Sequence, residues 1–256
     1  MNDYNNIAFD IKDKVATITL QREPLNVLNI EMMEEINSAL ESLGDGGQLK
    51  ALVIKAVGKA FSAGVDVSEH TSEMVEKMIH TFHRMFRLLD CLECPTVSLV
   101  HGAALGGGCE LACFCDMALA AEGVKFGQPE IKVGVFPPVA AAAFPQYGFL
   151  KSMYELILVG DTIKAEQAKT MGLVNQVFPR DDFDKHCQDF LTRLTSNSAI
   201  ILRLAKKAIR EGMNKPFAEA LDIAEKLYLD DMMGTKDAHE GLAAFMEKRA
   251  PKWRDE

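Results

Sequence analysis

Two carboxylates and a run of glycines carry the chemistry this chain can offer. Leu105-Gly106-Gly107-Gly108-Cys109-Glu110-Leu111 puts a glutamate just past three glycines, inside a small-residue apolar segment. Twenty positions on, Phe126-Gly127-Gln128-Pro129-Glu130 supplies a second glutamate in a glycine-bounded turn. Glycines at a helix entrance let backbone N–H groups approach a ligand, because no Cβ blocks the way. The same helix end carries unpaired donors and a partial positive charge. That combination suits an oxyanion, and two carboxylates beside it suit proton transfer. A glutamate among Leu, Ala, Cys and Phe is costly to bury charged, so its pKa should rise. The plain alternatives are a helix-terminal glutamate at 110, favoured by the dipole, and an exposed turn residue at 130.

Other chemistries find less support. No Gly-Lys-Ser/Thr follows the triple glycine and no G-x-G-x-x-G is present, which argues against a nucleotide loop. Cys91-x-x-Cys94 resembles half a metal or redox site, but Cys109, Cys113, Cys115 and Cys187 do not complete it with suitable spacing. Buried free thiols are the expectation, with no metal and no cofactor. The net charge of −9, with no basic stripe interleaved with aromatics, disfavours nucleic acid as a partner. No apolar run of about 18 residues suggests a membrane span, and no leader pattern is read at Met1, so the expected location is the cytoplasm.

The elements that must hold these loops can be placed from periodicity. The chain of 256 residues, 48% hydrophobic, can bury one sizeable core. Residues 7–11 and 15–20 alternate and predict a hairpin. Asn29 can cap a helix over 30–43, residues 51–56 form a buried strand, and 58–64 a small-residue turn. A long helix is predicted over 72–92, with Met74, Met78, Phe82, Met85 and Leu89 on one face. Strands over 96–100 and 116–121 follow. Beyond Pro138 helical patterns dominate: 149–159, 164–171, 181–194, 198–211, 216–233 and 237–248. The alternation of strands and helices predicts an α/β fold followed by a helical region.

Taken together the motifs resemble the enoyl-CoA hydratase/isomerase (crotonase) superfamily, nearly end to end. The resemblance rests on Val15-Ala16-Thr17-Ile18-Thr19-Leu20 with Pro24-Leu25-Asn26-Val27-Leu28-Asn29. It continues through Phe61-Ser62-Ala63-Gly64-Val65-Asp66-Val67 and His101 to Leu111 with Cys115-Asp116. It ends in Phe126 to Glu130 with Gly134, and Glu240-Gly241-Leu242 to Lys248-Arg249. It implies a crotonase-type fold, ββα repeats in a spiral, with residues 1–195 as the core carrying the active site. Residues 196–256 would be a helical trimerisation region, and the assembly a homotrimer or homohexamer. It implies that the backbone N–H groups of Val65 and Gly107 hold a thioester oxygen and that Glu110 and Glu130 are the catalytic pair. Leu25, Val27, Ala63, Asp66, Gly106, Phe136, Pro137 and Lys248 would line the coenzyme A thioester, which is substrate and not cofactor. Having both glutamates points to a hydratase.

Two departures bear on the substrate. Phe136-Pro137-Pro138-Val139-Ala140-Ala141-Ala142 stands where the family often has a glycine-rich segment, and Glu69-His70 alters the continuation of the first loop. Glu69-His70, Lys125 to Ile131 running into Gly134-Val135-Phe136, and Leu227-Tyr228-Leu229 are similar to segments of the cyclohexa-1,5-diene-1-carbonyl-CoA hydratase branch, which acts in anaerobic aromatic degradation. A general short-chain enoyl-CoA hydratase and an enoyl-CoA isomerase are the alternatives, and a non-catalytic acyl-CoA or RNA-binding scaffold is a further one.

Overall fold

A computed structural model describes residues 4–256. Strands β1 (Ile7–Lys12) and β2 (Val15–Leu20) pair antiparallel through the two-residue turn Asp13-Lys14. Both turn residues have positive φ, 50° and 63°, the geometry that matches the twist of a hairpin. Helix α1 (Ile30–Ser42) starts where the Asn29 side chain accepts from the Met32 N–H, and it buries Ile30, Met32, Met33, Ile36 and Leu40.

Three repeats of strand, short strand and helix follow. The first is β3 (Ala51–Ala56), β4 (Ala60–Ser62) and α2 (Val75–Cys91). The second is β5 (Thr96–Val100), β6 (Ala103–Leu105) and α3 (Gly107–Phe114). The third is β7 (Met117–Ala121), β8 (Lys125–Gly127) and α4 (Pro138–Ala143). This is the ββα repeat that the family resemblance implied. The long strands join one parallel sheet, extended by the hairpin, and the short ones a second. The chain then runs through α5 (Leu150–Val159), β9 (Thr162–Lys164), α6 (Ala165–Thr170), β10 (Gln176–Phe178) and α7 (Phe183–Thr195). It closes with α8 (Ala199–Gly212), α9 (Phe217–Lys226) and α10 (Lys236–Glu247). The large sheet has the order β1-β2-β3-β5-β7-β10 and the small one β4-β6-β8-β9. Among the described residues, two edge strands, β1 in the first sheet and β9 in the second, run antiparallel to their neighbours, and the other pairings are parallel.

Five strands lie where periodicity predicts none. Strands β4, β6 and β8 are three residues each, too short for alternation to show, and they fall in stretches rich in small residues that read as turns. Strands β9 and β10 are equally short and fall at the joins between the helices predicted over 149–159, 164–171 and 181–194. The predicted helix over 216–233 stops at Lys226, continues as one π turn, Leu227–Asp231, and ends in a 3₁₀ turn, Met232–Gly234. The first turn expected for 72–92 is not helical either, since α2 begins only at Val75. All six thiols are free. Five are buried as expected, and Cys91, at the end of α2, is exposed instead.

The core lies around the sheets, and three aromatic rings tie α2 to α3. Phe82 meets Phe86 edge-on at 4.9 Å and Phe86 meets Phe114 at 5.1 Å, with Phe82 and Phe86 nearly closed to solvent. Edge-to-face pairs add about 0.5–1.5 kcal/mol to the burial of each ring. A polar tie fixes the chain just past this same end of α3, where the Asp116 carboxylate accepts from the Thr96 N–H at 2.7 Å and from Lys206 of α8 at 2.7 Å. Among the described residues, no helix is long and apolar enough to cross a membrane.

Candidate active site

The site is built where the ends of β4, β6 and β8 come side by side. Strand β4 leads into Ala63-Gly64-Val65, β6 into Gly106-Gly107, and β8 into Gln128-Pro129-Glu130. Parallel pairing of β4 with β6 and of β6 with β8 places the three exits together. A Cβ on Gly64, whose φ is +102°, would sit 3.0 Å from the Leu105 carbonyl and 3.6 Å from the Gly107 nitrogen. The two loops therefore touch, backbone to backbone.

The orientation of the Val65 N–H follows from pairing. Residues 28 and 65 form a parallel bridge in which Leu28 N–H donates to Gly64 O at 2.8 Å and Asp66 N–H donates to Leu28 O at 3.0 Å. A parallel bridge of this kind uses the groups flanking residue 65, so the N–H of Val65 itself points away from Leu28. Gly107 is the first residue of α3, where an N–H has no partner within the helix. It is packed from two sides. A Cβ there would meet Val65 Cγ2 at 2.7 Å and Phe82 Cζ at 2.9 Å. The site thus has two backbone donors on adjoining loops, with Phe82 pressed against the second.

Glu110 stands one helical turn beyond, 2% exposed, and its Oε1 accepts from the Ala140 N–H of α4 at 2.7 Å. Burial pushes its carboxyl up to about 8, the Glu130 charge adds to the rise, and the Ala140 and Val139 N–H groups oppose it. Glu130 lies over the glycine loop, since a Cβ on Gly106 would stand 2.6 Å from its Oε1. Burial raises its carboxyl to about 7. Gln128 is closed to solvent. With its amide turned so that nitrogen faces the carboxylate, it donates to both Glu130 oxygens at 3.2 Å. Near neutral pH, therefore, Glu110 keeps its proton while Glu130 is partly ionised, so the pair holds between one and two protons and loses the second as pH rises past about 7. The exposed-turn alternative for Glu130 does not describe this half-buried carboxyl.

The remaining sequence candidates fall into two groups. Ala63 N–H donates to Leu25 O at 2.9 Å, and Asp66 accepts from Ser68 N–H at 3.0 Å while facing Arg22 at 3.9 Å. Arg22 also donates to Val27 O at 3.0 Å. Leu25, Val27, Ala63 and Asp66 thus form one rim beside Val65, and Gly106 joins them through the touching loops. Pro137 is buried at the start of α4, whereas Phe136 is 63% exposed. Lys248 stands exposed at the left-handed end of α10, a helix that packs on α8 and the Met232–Gly234 turn. Within one protomer, then, Lys248 belongs with the C-terminal helices. Three contributors escaped the sequence reading as site residues: Gln128, the Ala140 N–H and Phe82. Gln128 sat inside the quoted motif. Ala140 acts through its backbone, which leaves no side-chain signal. Among the described residues, no cluster of His, Cys, Asp and Glu is arranged to hold a metal ion.

Residues 10–256 match the model of the family described as enoyl-CoA hydratase/isomerase. The chain belongs to that family. Among enoyl-CoA hydratase/isomerase relatives, a probable enoyl-CoA hydratase of Mycobacterium tuberculosis is 37% identical over 254 residues, covering 98% of both chains. A crotonyl-CoA hydratase of Syntrophomonas wolfei is 32% identical, covering 96% of each. An enoyl-CoA hydratase structure from Bacillus anthracis superposes with a TM-score of 0.92 at 31% identity, covering 98% of this chain and 100% of that one. The α/β fold with its helical C-terminal region is the enoyl-CoA hydratase/isomerase, or crotonase, fold.

Proposed function

We propose that this protein is a hydro-lyase that adds water across the conjugated double bond of an unsaturated acyl-CoA thioester. The observation that carries the reading is the pair Glu110 and Glu130, both raised toward neutrality and both beside two backbone donors. The thioester oxygen sits between the N–H groups of Val65 and Gly107. Charge moves onto that oxygen as water attacks, and each donor of such a hole stabilises the transition state by about 2.7–4 kcal/mol. The water oxygen bonds to the β-carbon and one water proton passes to the ionised glutamate. The double-bond electrons collapse through the enolate, and the α-carbon takes the proton of the protonated glutamate. One water has been added and the pair again holds one proton, so no redox or metal chemistry enters the balance. Coenzyme A is part of the substrate, held by the rim of Leu25, Val27, Ala63 and Asp66.

For the acyl group we favour an alicyclic dienoyl thioester, cyclohexa-1,5-diene-1-carbonyl-CoA, on the wall of Phe136, Pro137 and the alanines of α4. A short linear enoyl-CoA is the second reading, favoured by the crotonyl-CoA and short-chain-enoyl-CoA hydratases among the relatives. A panel of crotonyl-CoA and cyclic dienoyl-CoA, compared by kcat/KM, decides between them. Preference for crotonyl-CoA by tenfold or more (about 1.4 kcal/mol) contradicts the cyclic assignment. We further propose a homotrimer or a hexamer of two trimers in the cytoplasm, with Lys248 serving a neighbouring subunit's thioester.

A further inference from the structure

The Val65 donor is only as well placed as the loop that carries it, and one side chain closes that loop onto the rest of the protein. Residues 25–30 and 63–69 run side by side. Ala63 N–H donates to Leu25 O at 2.9 Å, Leu28 N–H to Gly64 O at 2.8 Å, and Asp66 N–H to Leu28 O at 3.0 Å. Beyond Asp66 the chain makes a 3₁₀ turn, Val67–Glu69, and leaves this ladder. The last rung is made by a side chain. Glu69 Oε2 accepts from the N–H of Ile30, the first residue of α1, at 2.8 Å.

We propose that Glu69 is a positioning residue for the first oxyanion donor, holding Val65 N–H in place by capping α1 from the far end of the loop. The proposal rests on the hydratase reading above, because it needs Val65 N–H to meet the substrate oxygen. The physics is direct. A helix N-terminus offers unpaired N–H groups and favours a negative charge, so the Glu69 carboxylate is drawn to it. Helix α1 is anchored in the core by five large apolar side chains, so the capped end is a fixed point. The Asn29 side chain already takes the Met32 N–H, which leaves the Ile30 N–H for Glu69. Val65 lies between the backbone rungs at Gly64 and Asp66, and the side-chain rung closes the ladder three residues beyond Asp66. Without it the ladder ends at the Asp66 rung, next to Val65, and an end rung frays. Glu69 does not touch the reacting atoms; it acts through Val65.

Glu69→Ala and Glu69→Gln test this, since glutamine keeps an acceptor oxygen at the same reach. Misplacing a donor costs transition-state stabilisation and little ground-state binding. Glu69→Ala is expected to lower kcat about 10- to 100-fold with KM within about twofold, and Glu69→Gln to recover most of kcat. Amide hydrogen exchange of the ligand-free protein supplies a readout independent of turnover. In Glu69→Ala the amides of residues 63–69 should exchange at least about tenfold faster, while those of β3 and β5 stay unchanged. If the alanine variant does not fold, Glu69→Asp carries the same test, being one methylene too short to reach Ile30. Unchanged exchange over 63–69, unchanged kcat, or a loss confined to KM overturns the proposal. Failure of the wild type to hydrate any enoyl thioester would instead overturn the functional reading, and the exchange measurement would still decide the role of Glu69.

Discussion

At the residue scale, the account turns on two carboxyls that share about one proton near neutrality. Glu110→Gln and Glu130→Gln should each lower turnover about 10²–10⁴-fold while circular dichroism shows an intact fold. Near-normal turnover in both would refute their role. The pH dependence follows with a definite sign. Burial raises Glu110 to about 8 and Glu130 to about 7, against 4.5 for the free group. Between those values the native state keeps protons that the unfolded chain has released, so stability falls as pH rises through the window. Glu110→Gln removes its share of that slope and keeps an acceptor for the Ala140 N–H. Its melting temperature should match wild type within about 2 °C near pH 5 and exceed it by several degrees near pH 9. The kcat/KM profile of the wild type should be a narrow bell with limbs near 7 and 8, because activity needs one proton on the pair. A profile flat from about pH 6 to 9 would contradict a shared proton.

At the element scale, three short strands deliver the site and one aromatic stack holds it. Gly108→Ala would place a Cβ 2.5 Å from the Ser62 carbonyl and 2.6 Å from its Cβ, forcing α3 away from β4. We expect both a lower melting temperature and a loss of turnover, read by calorimetry and assay together. Phe82→Ala should cost about 3–5 kcal/mol of stability and lower kcat as well, since its ring presses on the Gly107 donor. A stable variant with full kcat would show that the ring is packing only. Legibility in the sequence divides along the same line. The hairpin, α1, β3, β5 and the C-terminal helices announce themselves through period and caps, and Asn29 does cap α1. The glutamate pair was legible because two carboxylates beside glycines are costly unless used. The second sheet was not, because three-residue strands have no readable period, and neither was the Ala140 N–H, because backbone donors leave no residue signature. The π turn at Leu227–Asp231 is likewise invisible to a 3.6-residue period.

At the scale of the molecule, the C-terminal helices expose large apolar side chains. Phe217 and Phe245 are 81% exposed, Met246 80% and Leu229 60% in the single chain. Side chains of this kind in contiguous patches mark surfaces that become buried on association. Sedimentation should find a trimer or a pair of trimers, and Phe245→Glu should shift the distribution toward monomer. The same variant should weaken thioester affinity if Lys248 serves the neighbour. A monomeric wild type with full activity would remove both expectations. The buried Asp237 carboxylate holds the chain's end against α10, accepting from the N–H groups of Arg254 and Asp255 at 2.8 and 2.9 Å. Asp255 in turn pairs with Lys14 of the hairpin at 2.7 Å, so the last residues strap the helical region to the sheet.

The central claim is water addition, and mass together with absorbance tests it most directly. Incubation of the enzyme with a conjugated enoyl- or dienoyl-CoA should bleach the conjugated thioester absorbance. The product should be heavier than the substrate by one water, and Glu110→Gln and Glu130→Gln should form it far more slowly. A product of unchanged mass with a shifted double bond, or no product from any thioester of the panel, would contradict the account.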